Sequence, residues 1–217
     1  MMKNGKYIEK SIVEYCNELS SSKPIPGGGS VSGIVGALAA SLGSMVANLT
    51  IGKKAYEDIE DEMKDLAKSA NTLKKDLLDL AEEDIRAFEP LSKAYGIKAE
   101  TEEEIAYKNE VMEAALLRAC SVPMLILKRS ARVIKLQKIA AEKGNRLALS
   151  DAGLGALLGK AAVESAILNV YINTKYMKDR ETAHKLNREA ETYLESSIAL
   201  ADEVYEMTVK QLRRIDG

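Results

Sequence analysis

Apolar residues recur at helical spacing along almost the whole chain. Ile8, Ile12, Tyr15 with Cys16, and Leu19 predict a short first helix over 7–19. After the loop SSSKPIPGGG, an uncharged run over 31–52 predicts a second helix. Ser30 reads as its N-cap, and the run fades near Gly52. From about 57 to 94 the stripe is Ile59, Met63, Leu66, Ala70, Leu73, Leu77, Leu80, Phe88 and Leu91, with a bend expected at Pro90. Thr101 to Glu104 forms a capping-box signature. The helix it opens runs toward Lys143, kinked or split by Pro123, and stops at Gly144-Asn145. Ser150-Asp151 caps a further helix, and a last one over 180–213 carries Leu186, Tyr193, Ile198, Val204 and Met207. No stretch alternates as a strand would. The expected architecture is all-α: one domain over 1–217, a helical bundle with a buried small-residue central helix.

Two of these helices break the usual amphipathic rule. The second lines up Ser32, Gly36, Ala40 and Ser44, with Gly33, Ala37 and Ser41 beside them. The fifth lines up Asp151, Gly155, Gly159, Ala162, Ala166, Asn169 and Asn173. Spacing of four puts each set on one side, so these two helices are natural close-packing partners. The uncharged run is also long enough to cross a bilayer. It is rich in Ala, Ser and Gly, lacks aromatic belts and carries Asn48 and Thr50, so a buried core helix is the expectation, with no membrane partner.

Ahead of the central helix, Gly27, Gly28 and Gly29 let backbone approach a ligand closely, and the first N–H groups of the helix face outward. Such an end suits a carboxylate, a phosphate or a developing negative charge. It is not a nucleotide P-loop, because Lys53 lies a whole helix beyond the glycines. Asp84 interrupts the stripe between Leu80 and Phe88. An inward carboxylate is costly unless it pairs with an Arg, caps a neighbour, or does chemistry.

Composition narrows the rest. A net charge of −2 argues against nucleic acid or another polyanion as partner. Cys16 and Cys120 are too few for a disulfide scaffold or a Cys-rich metal site, and His184 stands alone, so no metal is expected. No Ser-His-acid or Cys-His set is defensible. The basic series Lys128, Arg129, Arg132, Lys135 and Lys138 is interleaved with apolar residues and reads as a solvated face. The N-terminus MMKNGKYIEK has no apolar signal core, so a cytoplasmic location is expected.

PIPGGGS, MVANLTIGKKAYED, DIRAFEP, LSDAGLGA and NVYIN together resemble the cyclodeaminase and cyclohydrolase family of folate enzymes. The resemblance spans roughly 8–207, and its GGGS-to-GKK-x-Y block is the most specific part. It implies an all-helical fold, a homodimer or larger assembly, and a tetrahydrofolate derivative as substrate with no cofactor beyond it. It implies two reactions, cyclodeamination to 5,10-methenyltetrahydrofolate and hydrolysis of that compound to 10-formyltetrahydrofolate. A non-catalytic helical scaffold is the alternative of a different class.

The roles follow from residue chemistry set beside such a substrate. Asp84, then Asp151, would move protons and steady a cationic amidine. Lys53 and Lys54, with Tyr56 nearby, would grip the carboxylates of a glutamate or polyglutamate tail. Gly27, Gly28, Gly29 and Ser30 would offer backbone donors. Asn48, Asn169 and Asn173 would read the pterin amide, or else bond between helices.

Overall fold

The computed structural model describes residues 5–213. Among them are six α-helices: α1 (Ile12–Leu19), α2 (Gly28–Asn48), α3 (Glu60–Tyr95), α4 (Glu102–Lys143), α5 (Leu149–Tyr176) and α6 (Arg180–Leu212). Single 3-10 segments sit at Tyr7–Glu9, Lys54–Ile59 and Arg146–Ala148, and no described residue lies in a strand. α2 is the central rod, packed against α3, α4 and α5, while α6 lies across α4 and α5. The bundle is all-α, as the periodicity predicts.

The capping box of α4 forms as expected. Thr101 Oγ1 accepts the Glu104 N–H at 3.2 Å, and Glu104 Oε2 accepts the Thr101 N–H at 3.0 Å. Other boundaries differ from the sequence reading. α2 begins at Gly28 with Gly27 as its N-cap, so Ser30 is not the cap but a fully buried residue of the first turn. α2 ends at Asn48 rather than near Gly52, which turns the chain with φ +75°. α5 begins at Leu149 after a 3-10 turn capped by Asn145, whose Oδ1 accepts the Leu147 N–H at 3.1 Å. Ser150 and Asp151 therefore belong to the first turn and not to the cap.

Pro90 lies within α3, and Pro123 within the 42-residue α4, which is not split. An internal proline costs about 3 kcal/mol. Around Pro123 the side chains of Leu116, Cys120, Val122, Ile126 and Leu127 are all buried, and each buried large aliphatic side chain contributes roughly 1.5–3 kcal/mol. Packing on both sides of the proline outweighs its local penalty.

The small faces of α2 and α5 do meet, but Gly36, Gly43, Gly155 and Gly159 are filled from α4, and Gly33 from Leu77 and Ala81 of α3. Gln137 lies between them: a Cβ at Gly43 would stand 2.8 Å from its Nε2, and one at Gly155 would stand 2.5 Å from its Cδ. Ser130 fills the space beside Gly36, and Ile134 the space beside Gly159, at 2.7 Å each from a built Cβ. Gln137 Nε2 donates to the Ala39 carbonyl at 2.6 Å. By length and composition α2 and the Arg146–Tyr176 stretch are apolar enough to cross a bilayer; 61% of the α2 window is buried inside the bundle.

The basic series on α4 is more than a solvated face. Lys128 pairs with Glu189, Arg129 with Asp76 at 3.0 Å and Lys138 with Glu203 at 2.7 Å, tying α4 to α3 and α6. Arg132 and Lys135 remain exposed.

Candidate active site

The N-terminus of α2 meets the middle of α3, and this crossing builds the site. Gly27 is extended and leads into a first turn of Gly28, Gly29 and Ser30. Asp84 points from α3 into that turn. A Cβ placed on Gly29 would fall inside the Asp84 carboxyl group, so only glycine permits the approach. Asp84 is half-buried. Burial pushes its pKa up from 3.8 to about 6, with the backbone N–H of Ser30 pulling the other way. A carboxyl group at that value is both a usable base and a usable acid near neutrality.

A cleft of about 210 Å³ opens beside it. One wall is apolar, from Phe88 and Leu91 of α3 and Ile172 of α5; the floor is the glycine turn. Asn169 and Asn173 of α5 supply the polar side. Asn169 Nδ2 donates to the Ser165 carbonyl at 2.9 Å, and Asn173 Nδ2 donates to the carbonyls of Asn169 at 2.8 Å and Ala119 at 3.2 Å. Both N–H groups of Asn173 are thus committed within the protein, so it offers a ligand its Oδ1, whereas Asn169 keeps one N–H as well as its Oδ1. The pair therefore presents both a donor and acceptors to a ligand. Among the described residues, no lysine or arginine lines the cleft.

The structure brings Gly27, Gly28, Gly29, Ser30, Asp84, Asn169 and Asn173 together. It does not bring the other predicted residues to them within one chain. From Gly28 to Asn48 is twenty residues, about 30 Å at 1.5 Å per residue. Asn48 faces Ser44 at 3.4 Å. Lys53 and Lys54 are exposed beyond it, and the Tyr56 hydroxyl accepts the Arg146 N–H at 3.1 Å. Asp151 starts α5 at that same far end, about 27 Å along the helix from Asn169.

Tyr15 is the residue the sequence reading missed as a site group. Its hydroxyl donates to Ser30 Oγ at 3.0 Å, and burial raises its own pKa, against the effect of that bond. The structure supplies what the spacing does not: α1 buries no residue, so this aromatic serves something other than the core. A larger depression, about 420 Å³, lies between α3 and α4, but it is shallow and its Arg129 is already paired with Asp76.

In class, then, the molecule is a helical bundle with a cleft in which a carboxyl group of α3 meets the N-terminus of the central helix. Residues 11–192 match the sequence model of the family described as formiminotransferase-cyclodeaminase, and the chain belongs to that family. It is 40% identical over 201 residues to a methenyltetrahydrofolate cyclohydrolase of Methylorubrum extorquens, covering 93% of this chain and 96% of the relative. It is 29% identical over 184 residues to the formimidoyltransferase-cyclodeaminase of Rattus norvegicus, matching 83% of this chain but only 34% of that longer protein. The crystal structure of a formiminotetrahydrofolate cyclodeaminase from Thermotoga maritima superposes with a TM-score of 0.77 at 34% identity, covering 94% of this chain and 96% of that one.

Proposed function

We propose that the protein is a folate one-carbon enzyme that closes formiminotetrahydrofolate to 5,10-methenyltetrahydrofolate and releases ammonia. The observation that carries the reading is Asp84, a carboxyl group held near neutrality against the glycine turn. The substrate's N10 attacks the amidinium carbon attached to N5, forming a C–N bond. The Asp84 carboxylate takes the N10 proton and returns it to the amino group, so that the carbon–nitrogen bond to that group breaks and ammonia leaves. One group serves as base and then acid, with no cofactor beyond the folate itself. Apolar walls hold a flat ring system, and holding the reacting atoms in place supplies on the order of several kcal/mol of the barrier. The Oδ1 atoms of Asn169 and Asn173 take its N–H edges, and the remaining Asn169 N–H takes a ring acceptor.

A second reading is favoured by the 40% identity to a cyclohydrolase over nearly its full length. There water attacks the same carbon of the methenyl compound and forms a C–O bond, and Asp84 takes a proton from that water and delivers it to N5. The C–N5 bond breaks and the remaining hydroxyl proton leaves to solvent, giving 10-formyltetrahydrofolate. Purified protein is incubated with each substrate and the methenyl absorbance followed. A rise with the formimino compound supports cyclodeamination; an accelerated fall with the methenyl compound supports hydrolysis; turnover of neither leaves a scaffold role. Asp84→Asn separates the scaffold from both enzymes, since it leaves folding intact while turnover falls by about a hundredfold or more.

We extend the proposal to a homodimer. α2 carries no charge, yet Leu38 is 53% and Met45 43% exposed; neighbouring α5 leaves Leu168 64% exposed. Two antiparallel copies of α2 across a twofold axis near Leu38 would set the far end of one subunit beside the cleft of the other. That arrangement delivers Lys53 and Lys54 of the partner subunit to a cleft that lacks a cation of its own.

A further inference from the structure

The segment from Tyr7 to Gly27 bridges the α3 turn that carries Asp84 and the start of α2. It is tied at two points. Glu82, buried and two residues before Asp84, accepts the Tyr7 N–H at 2.9 Å, and Ser30 Oγ accepts the Tyr15 hydroxyl at 3.0 Å. Between the ties α1 buries no residue; Ile12 is 84% exposed, and the ion pairs of Glu18 with Lys10 and Lys23 are internal to the segment. Helical propensity alone does not order eight residues in water. The strap therefore lies where it does because of its ties, and Tyr15 is the one that reaches the site.

Tyr15 is not part of the cleft lining, whereas Asp84 and Gly29 are. The phenol thus meets the Asp84–Ser30 corner from outside the cleft. We propose that Tyr15 is a positioning residue: by bonding Ser30 it holds the first helix against the rear of Asp84, so that the carboxyl group meets solvent only through the substrate cleft. The inference starts from the role proposed for Asp84, but what it asserts is a property of the folded protein without substrate.

The groups around Asp84 leave few other causes for its behaviour. From α1 the titratable neighbour is Tyr15 itself, with Cys16 next to it. α2 contributes no charged side chain, and α5 contributes amides. On α3, Glu82 is engaged by Tyr7, and Glu83 lies 3.9 Å from Arg86 and 3.8 Å from Arg118 of α4. Water exclusion is what remains, and a strap that is displaced admits water.

The test reads Asp84 directly, by carbon-13 NMR titration of its carboxyl group in substrate-free protein, with Asp84→Asn to assign the signal. In Tyr15→Ala the midpoint should fall from about 6 toward 3.8, the ordinary value. Tyr15→Phe, which keeps the ring and loses the tie, should fall between, and Ser30→Ala, which removes only the acceptor, should match Tyr15→Phe. An Asp84 midpoint unmoved in all three variants overturns the proposal, even if each variant loses thermal stability, because a merely structural Tyr15 would do that alone. Failure of the proposed function is a separate result: the parent would turn over neither folate, or Asp84→Asn would keep full turnover, while the titration shifts stand.

Discussion

Gly29 and Asp84 occupy one space: the carboxyl group of Asp84 rests where the side chain of any other residue at 29 would begin. Gly28 next to it differs. A Cβ there would stand 3.7 Å from the Asn169 amide, which is ordinary contact, and the position is exposed. The glycine triplet is therefore not uniform in purpose.

Gly29→Ala should lower kcat by about a hundredfold or more, the usual scale for misplacing an acid–base group, with secondary structure intact by circular dichroism. Gly28→Ala should leave kcat within a few-fold and raise stability by up to about 1 kcal/mol, because alanine has less backbone freedom to lose. Steady-state rates with thermal melts compare the two. Equal losses would mean that Asp84 is not pinned against residue 29.

Asp84 also leaves a signature in stability. Its folded pKa of about 6 lies above the ordinary 3.8, so between those values the folded state binds more protons than the unfolded chain. Stability from this group therefore rises as pH falls from 7 through 6 toward 4. At pH 7 the charged form costs about 2 kcal/mol once its remaining exposure is allowed for. Asp84→Asn should be more stable than the parent by that amount at pH 7, with the advantage vanishing near pH 4. Urea denaturation at several pH values measures it; a difference independent of pH would remove the basis for a raised pKa. In parallel, kcat/KM should climb with pH through about 6, since the carboxylate is the form that begins the reaction.

At the bundle centre, Gln137 holds two glycine-bearing helices at a fixed distance. Its Nε2 bonds Ala39 at 2.6 Å, while its Oε1 has no partner among the described residues. Gly155→Ala would push a methyl group to 2.5 Å from Cδ, and the amide has no room to retreat toward Gly43. The expected loss is about 1–3 kcal/mol, the range for overpacking a close-packed core. Denaturant midpoints at constant m-value test it; no loss would mean that α4 shifts freely.

Much of this was legible in the sequence. Periodicity places the long helices, the Thr101–Glu104 box marks its helix start, and the one acidic break in the α3 stripe marks the cleft. What failed had physical causes. Ser30 looks like a cap by type, yet glycine at 27 already supplies the extended residue and Ser30 is needed inside. The small faces of α2 and α5 pointed to each other, but a long third helix inserting Gln137 leaves no trace in their own spacing. Asn48, Lys53, Lys54, Tyr56 and Asp151 share their chemistry with the Asp84 group, but spacing along a sequence does not show that a 21-residue helix holds its ends about 30 Å apart within one chain. Tyr15 was hidden because its spacing fits an apolar stripe equally well.

The two ends of α2 meet only if a second subunit joins them, and this makes a sharp prediction. Leu38→Glu places a charge in the middle of the proposed contact, so sedimentation should show monomers where the parent shows dimers. Lys53→Met with Lys54→Met should leave assembly alone and raise KM for a polyglutamylated folate more than for the monoglutamate, with kcat little changed, because tail contacts bind ground state and transition state alike. If the lysines act across the interface, the monomeric Leu38→Glu protein should show the same preference loss with both lysines present. Mixing it with the lysine double variant should not restore the preference. A monomer that keeps its preference for the longer tail would place the tail-binding cations within one chain, and α2 is too long for Lys53 and Lys54 to be those cations.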